Sequence, residues 1–139
     1  MLKRSLLLLW LAAVAVGCHA SYARHVRIPV SSAAVPDLSG TWNSRWGEDY
    51  VAVLFVKQEG ERVTATYTTT ARLEQGVEGT IEGSFEGRLA GNELRGTWEE
   101  GGARFGRFRF VFAADGRAFE GTWGRKELED DGGTWNGAR

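Results

Sequence analysis

The chain has 139 residues, of which 42% are hydrophobic and 12% aromatic, with 17 Lys and Arg against 18 Asp and Glu. That length carries one domain with a real core and leaves no room for a second. A near-neutral balance without a basic stripe argues against a nucleic-acid partner, and a single cysteine excludes an intramolecular disulfide.

The chain opens with Lys3-Arg4 and an apolar run from Leu6 to Val16. The run is shorter than the ~20 residues of a permanent spanning helix, so it reads as a secretory signal. It ends at Ala15-Val16-Gly17-Cys18, which resembles the lipobox of bacterial lipoproteins. The resemblance implies that residues 1–17 are removed, that Cys18 is acylated, and that the protein is held at a membrane by its N-terminal lipid. His19, where Asp would retain a lipoprotein in the inner membrane, implies the outer membrane. A lone cysteine in an exported chain agrees with lipidation; cleavage after Ala20, giving a secreted or periplasmic protein, is the alternative. Loss of Lys3 and Arg4 with the signal leaves 15 basic residues against 18 acidic. Residues 18–36, rich in Ala, Ser, Val and Arg and holding both prolines, Pro29 and Pro36, show no sustained period. They read as a flexible tether before a domain at 37–139.

From Leu38 onward, apolar and polar residues alternate in short runs divided by turn residues, the mark of half-buried strands. Strands are predicted at 39–46, 49–57, 62–70, 77–90, 93–100, 104–113, 118–124 and 133–138. The phrase Gly-Thr-Trp recurs at Gly40-Thr41-Trp42, Gly96-Thr97-Trp98, Gly121-Thr122-Trp123 and Gly133-Thr134-Trp135. Between Val77 and Leu89 every second residue is apolar or glycine. Glycines on the same face as the large residues fit a strongly curved sheet in which a ring on one strand fills the space over a neighbour's glycine. Asp115-Gly116 predicts a two-residue hairpin turn. An all-β fold follows, an eight-stranded antiparallel up-and-down β-barrel, since closure removes both edges and the outermost strands carry the same phrase. The second strand is apolar on both faces, and its outer face is expected to meet a partner or the tether.

Gly40-Thr41-Trp42 resembles the Gly-x-Trp that opens lipocalins, and Leu38 to Thr70 is similar to the start of avidins. Both are calycins, a group of eight-stranded meander barrels holding a small ligand at one open end. Leu38 to Arg139 as a whole resembles small bacterial domains with Gly-x-Trp repeats behind lipoprotein signals. The lipocalin resemblance implies Arg139 packing over Trp42, a favourable cation–indole contact. The avidin resemblance implies Tyr67, Thr69, Ser44 and Glu48 around a polar ligand group.

His19 and His25 fall in the tether and Cys18 at the lipobox, leaving the domain no His or Cys for nucleophilic or zinc chemistry. The acidic groups Glu48-Asp49, Glu99-Glu100 and 127–131 are expected as solvated residues at strand ends and loops. No catalytic residue, cofactor or metal is therefore expected, and two readings stay open. The first is a non-catalytic binding module whose barrel accepts a small apolar or amphipathic ligand, lined by Trp42, Tyr67, Trp98 and Trp123 and oriented by Ser44 and Thr69. The second is a structural or accessory envelope lipoprotein with a solid barrel that contacts a protein partner. A barrel of eight strands permits either.

Overall fold

The computed structural model describes residues 26–72, 76 and 78–139; the signal, Cys18, His19, His25 and the start of the tether lie outside the described residues. The strands are β1 (Gly40–Trp46), β2 (Tyr50–Glu59), β3 (Arg62–Arg72), β4 (Glu78–Ala90), β5 (Glu93–Glu100), β6 (Arg104–Phe112), β7 (Ala118–Trp123) and β8 (Gly133–Ala138). They form one closed antiparallel barrel in sequence order, each strand paired with its chain neighbours and β8 with β1. The expected all-β up-and-down barrel is therefore the architecture, with boundaries shifted by at most a few residues.

Alternation places Trp42, Leu54, Val63, Phe85, Leu94, Phe108, Phe110 and Phe119 inside, all buried. Their rings interlock: Phe110 stacks on Phe119 with centroids 4.4 Å apart and meets Trp135 edge-on at 5.2 Å. Such pairs add about 0.5–1.5 kcal/mol each beyond the area they bury. Inward glycines make room for these rings. Tyr67 lies over Gly83, its partner across β3 and β4, and a Cβ at Gly121 would stand 2.6 Å from the Phe110 ring. Gly96 serves differently, since its missing side chain would strike the backbone carbonyl of Glu86 on β4 rather than an aromatic ring.

One end of the barrel is sealed. Here the hairpins between β2 and β3 and between β4 and β5 are two-residue turns, Gly60-Glu61 and Gly91-Asn92, between the pairs Glu59↔Arg62 and Ala90↔Glu93. The Asp115-Gly116 turn is longer than expected. Ala113 N–H bonds the Ala118 carbonyl, leaving four residues in the loop, and Gly116 N–H closes a turn on the Ala113 carbonyl at 2.9 Å. Gly116, at φ 67°, follows that turn instead of sitting at its centre, because Asp115 Oδ1 accepts the Arg117 N–H and holds the wider loop.

Residues 26–36, read as tether from composition, lie across this end. Asn92, buried, accepts the Ser31 N–H at 2.6 Å and donates to the Pro29 and Phe112 carbonyls, both at 2.9 Å. Its amide thus substitutes for a peptide group and fastens a segment that has no strand to join. Farther back, the Arg27 and Ile28 N–H groups donate to Glu120 Oε2. Glu120 is the ladder partner of Val111, an outward residue with no exposure; the strap passing beside it explains that burial.

On the outside of β5 and β6, Glu93 accepts from Arg95 Nε at 2.9 Å and Arg109 Nε at 2.8 Å. Burial raises the Glu93 pKa, but the bonds from Arg109 and Arg95 outweigh it and hold the carboxyl below its ordinary value. A folded pKa below the unfolded one gives stability that is complete above the unfolded value of about 4.3. That stability is lost as pH falls through the lower, folded value. Glu93→Gln should remove about 1–2 kcal/mol at pH 7 and flatten the acid limb of a Tm-against-pH curve; an unchanged limb would discount the pair.

Candidate functional site

The sequence-predicted site residues separate into two levels. Trp42 belongs to the sealed end, where its indole N–H donates to the Leu38 carbonyl at 2.8 Å and its ring meets Phe112 and Phe119. Arg139 covers it, the guanidinium carbon 4.7 Å from the ring centroid. That side chain also donates to the carbonyls of Asp37, Ser39 and Gly116, a fork holding both ends of the domain on one ring. The arrangement agrees with the contact expected from the lipocalin resemblance.

Ser44, Tyr67, Thr69, Trp98 and Trp123 lie toward the other end, which carries the turn after β1 and the long connection between β7 and β8. Strand β1 turns Ser44 and Trp46 inward; Trp135 Nε1 donates to Ser44 Oγ at 3.0 Å, and Ser44 Oγ donates to the Ala52 carbonyl at 3.1 Å. Tyr67 meets Trp135 edge-on at 5.4 Å. Trp98 donates to the Gly124 carbonyl at 2.9 Å and meets Trp123 edge-on at 5.6 Å. Trp123 in turn meets Trp46, which stacks on Tyr50 at 4.5 Å. The rings thus form a continuous layer across the barrel, and Glu48, in the turn after β1, is exposed.

Glu100 departs from expectation. Instead of a solvated strand-end acid it is buried, 3% exposed, because the parity of Leu94, Gly96 and Trp98 carries it inside. Its Oε1 accepts from the Tyr67 hydroxyl at 3.0 Å, and Arg104 Nη1 stands 3.3 Å from Oε2. Burial first, and then the charge of Glu100, push the Tyr67 phenol far above its ordinary pKa, so it stays a neutral donor. Glu99, on the opposite face, is exposed.

Three inward polar atoms at this end have no hydrogen-bond partner among the described residues, Trp46 Nε1, Thr69 Oγ1 and Trp123 Nε1, while Glu100 Oε2 is met by the Arg104 ion pair alone. The inner void toward the sealed end, bounded by Leu38, Trp42, Phe85 and Phe110 among others, has a volume of about 10 Å³, the lower limit for one water. A wide concavity of about 760 Å³ lies instead on the outside of β3 to β6, floored by the bent Gly87 and Gly96 backbone and rimmed by Arg62, Glu86, Arg88 and Glu99. Both signs of charge mix there, and Arg62 and Glu86 pair at 2.8 Å.

Compared with known protein families, curated proteins and solved structures, the chain matches none. The closed eight-stranded antiparallel barrel is consistent with a calycin-like architecture.

Proposed function

We propose that this protein is a lipid-anchored accessory protein of the cell envelope, in which a solid calycin-like barrel presents its outer surface and loops to a protein partner. The interior carries this reading: aromatic rings fill it from Trp42 to Trp46, and the void among them near the sealed end is about 10 Å³, far below the ~300 Å³ of small-molecule pockets. The anchor rests on Gly17-Cys18 after a short apolar run. A second reading, a small ligand among the far-end tryptophans, is favoured by the three unpartnered polar atoms there; a ligand offering acceptors to the Trp46 and Trp123 N–H groups and a polar group to the Thr69 hydroxyl would satisfy them.

Two measurements on the full chain test these. Tryptophan fluorescence titrated with fatty acids, porphyrins, aromatic metabolites and biotin is expected to show no saturable change; a saturable response lost in Thr69→Val would replace the accessory reading with the second. On cell fractionation the parent should follow the membranes and Cys18→Ser the soluble fraction. Identical partitioning of the two removes the lipid anchor.

A further inference from the structure

Closure of the barrel leaves one stretch of strand edge uncovered. Strand β4 pairs with β3 along its whole length, from Arg62↔Arg88 to Arg72↔Glu78, but with β5 only from Ala90↔Glu93 to Gly83↔Glu100. Residues 78–82 therefore outrun β5, which turns back into β6 through residues 101–103. Main-chain groups of successive strand residues point to opposite neighbours. The Leu89 N–H donates on the β3 side, to the Glu61 carbonyl at 2.7 Å, whereas the Glu86 carbonyl oxygen stands where a Gly96 Cβ on β5 would go. Odd-numbered residues of β4 thus face β3 and even-numbered ones face β5, and the β3 register continues to Glu78 without a bulge. That alternation aims the N–H and C=O groups of Thr80 and Glu82 at the side β5 has left, where the ladder gives them no partner among the described residues. The overhang of β6 beyond β7 is different, since the Phe105 and Arg107 carbonyls accept from the Lys126 and Gly124 N–H groups.

We infer that this edge takes an extended, basic segment of a partner protein as an added strand, antiparallel to β4 along the line that β5 leaves at Glu100. Unpaired N–H and C=O groups in strand geometry are complemented by another strand. Charge selects which one. Glu78 and Glu82 are exposed on the outer face of the edge, and so is Glu99, the last outward residue of β5. A Lys or Arg opposite Glu82 would stand about 5 Å from it across the ladder and about 7 Å from Glu99 along it. Arg104, across from Glu100, is engaged with that buried carboxylate instead. The same charges argue against a second copy of the chain: pairing two such edges about Thr80 sets Glu78 of each copy opposite Glu82 of the other, and like charges so placed repel. There is room where the entering strand begins, because Gly101 and Gly102 carry no side chain and a Cβ on either would meet nothing within 4 Å.

The inference deepens the accessory reading by naming the kind of partner, and it rests on that reading only for there being a protein partner. Neither the lipid nor the state of the interior enters.

The experiment titrates the full chain, in a mild non-ionic detergent, into a fluorescently labelled peptide of alternating valine and lysine, and into the same peptide with glutamate for lysine, reading anisotropy. Expected is saturable binding of the basic peptide, at least about tenfold tighter than that of the acidic one, with amide exchange at Thr80 and Glu82 slowed about tenfold or more. Glu82→Lys should weaken the basic peptide about tenfold and favour the acidic one. Thr80→Pro should abolish binding and leave the melting temperature nearly unchanged, since the N–H it removes faces the open side and not β3. Circular dichroism melts check that both variants fold. No saturable binding overturns the inference, and so does equal affinity for the two peptides. Binding indifferent to Thr80→Pro overturns it as well, being charge attraction without a strand. Such a failure leaves the accessory reading to the ligand titration and the fractionation, while a saturable small-ligand response would replace that reading and leave the peptide result standing.

Discussion

Gly96→Ala is expected to lose about 3 kcal/mol of stability, comparable to truncating a large core side chain. A Cβ there meets the Glu86 carbonyl oxygen and the Gly87 Cα of the neighbouring strand, all backbone, so relief requires the two strands to part. Gly121→Ala meets the Arg109 carbonyl as well as the Phe110 ring and should follow closely. Thr97→Val, one residue on and exposed, should stay within about 0.5 kcal/mol of the parent. Urea midpoints for the three variants give the order directly. Equal tolerance at Gly96 and Thr97 would contradict the close approach of β4 and β5.

The second large effect belongs to Asn92→Ala, expected to cost about 2–4 kcal/mol. The buried amide serves the Ser31 N–H and the Pro29 and Phe112 carbonyls, and its removal leaves those groups inside without partners. The loss has a local signature besides a lowered melting temperature. Residues 26–36 should become open to proteolysis while the barrel stays resistant, because the Asn92 side chain, together with Glu120, fastens the strap. Asn92→Asp should restore only the bond from Ser31, since a carboxylate cannot donate to the two carbonyls. Protection of the strap in Asn92→Ala equal to that in the parent would refute its role.

These two positions also show what the sequence made legible. Period-two alternation laid out all eight strands because inward and outward residues of a barrel strand must differ. The shared face of glycines and rings then followed from curvature. The same parity pointed Glu100 inward after Leu94, Gly96 and Trp98, but acids at strand ends are so commonly solvated that composition hid it. Asn92 gave no signal, since its work is to bond a segment 61 residues away, and side-chain bonds across such separations follow only from the completed fold. The strap looked like a tether because its backbone is met by side chains and a single backbone bond, from Asn92 N–H to the Ser31 carbonyl, instead of a ladder. Trp42 and Trp123 were grouped by parity alone, which fixes the face of a strand but not the level along the barrel; one belongs to the sealed end and the other to the opposite layer.

The way the barrel closes has a consequence for how it folds. Seven of its eight pairings join strands consecutive in the chain, while β1 and β8 meet through only four residue pairs, from Asn43↔Ala138 to Trp46↔Trp135. A hairpin closes a loop of a few residues, whereas that last seam closes one of roughly 90, an additional entropic cost of about 3 kcal/mol. The meander therefore assembles first as an open, curling ribbon, and the seam zips last. Until it does, the edges of β1 and β8 are free to pair with other chains, which makes this interval the period of greatest aggregation risk. Substitutions confined to the seam should accelerate unfolding and leave the folding rate almost untouched.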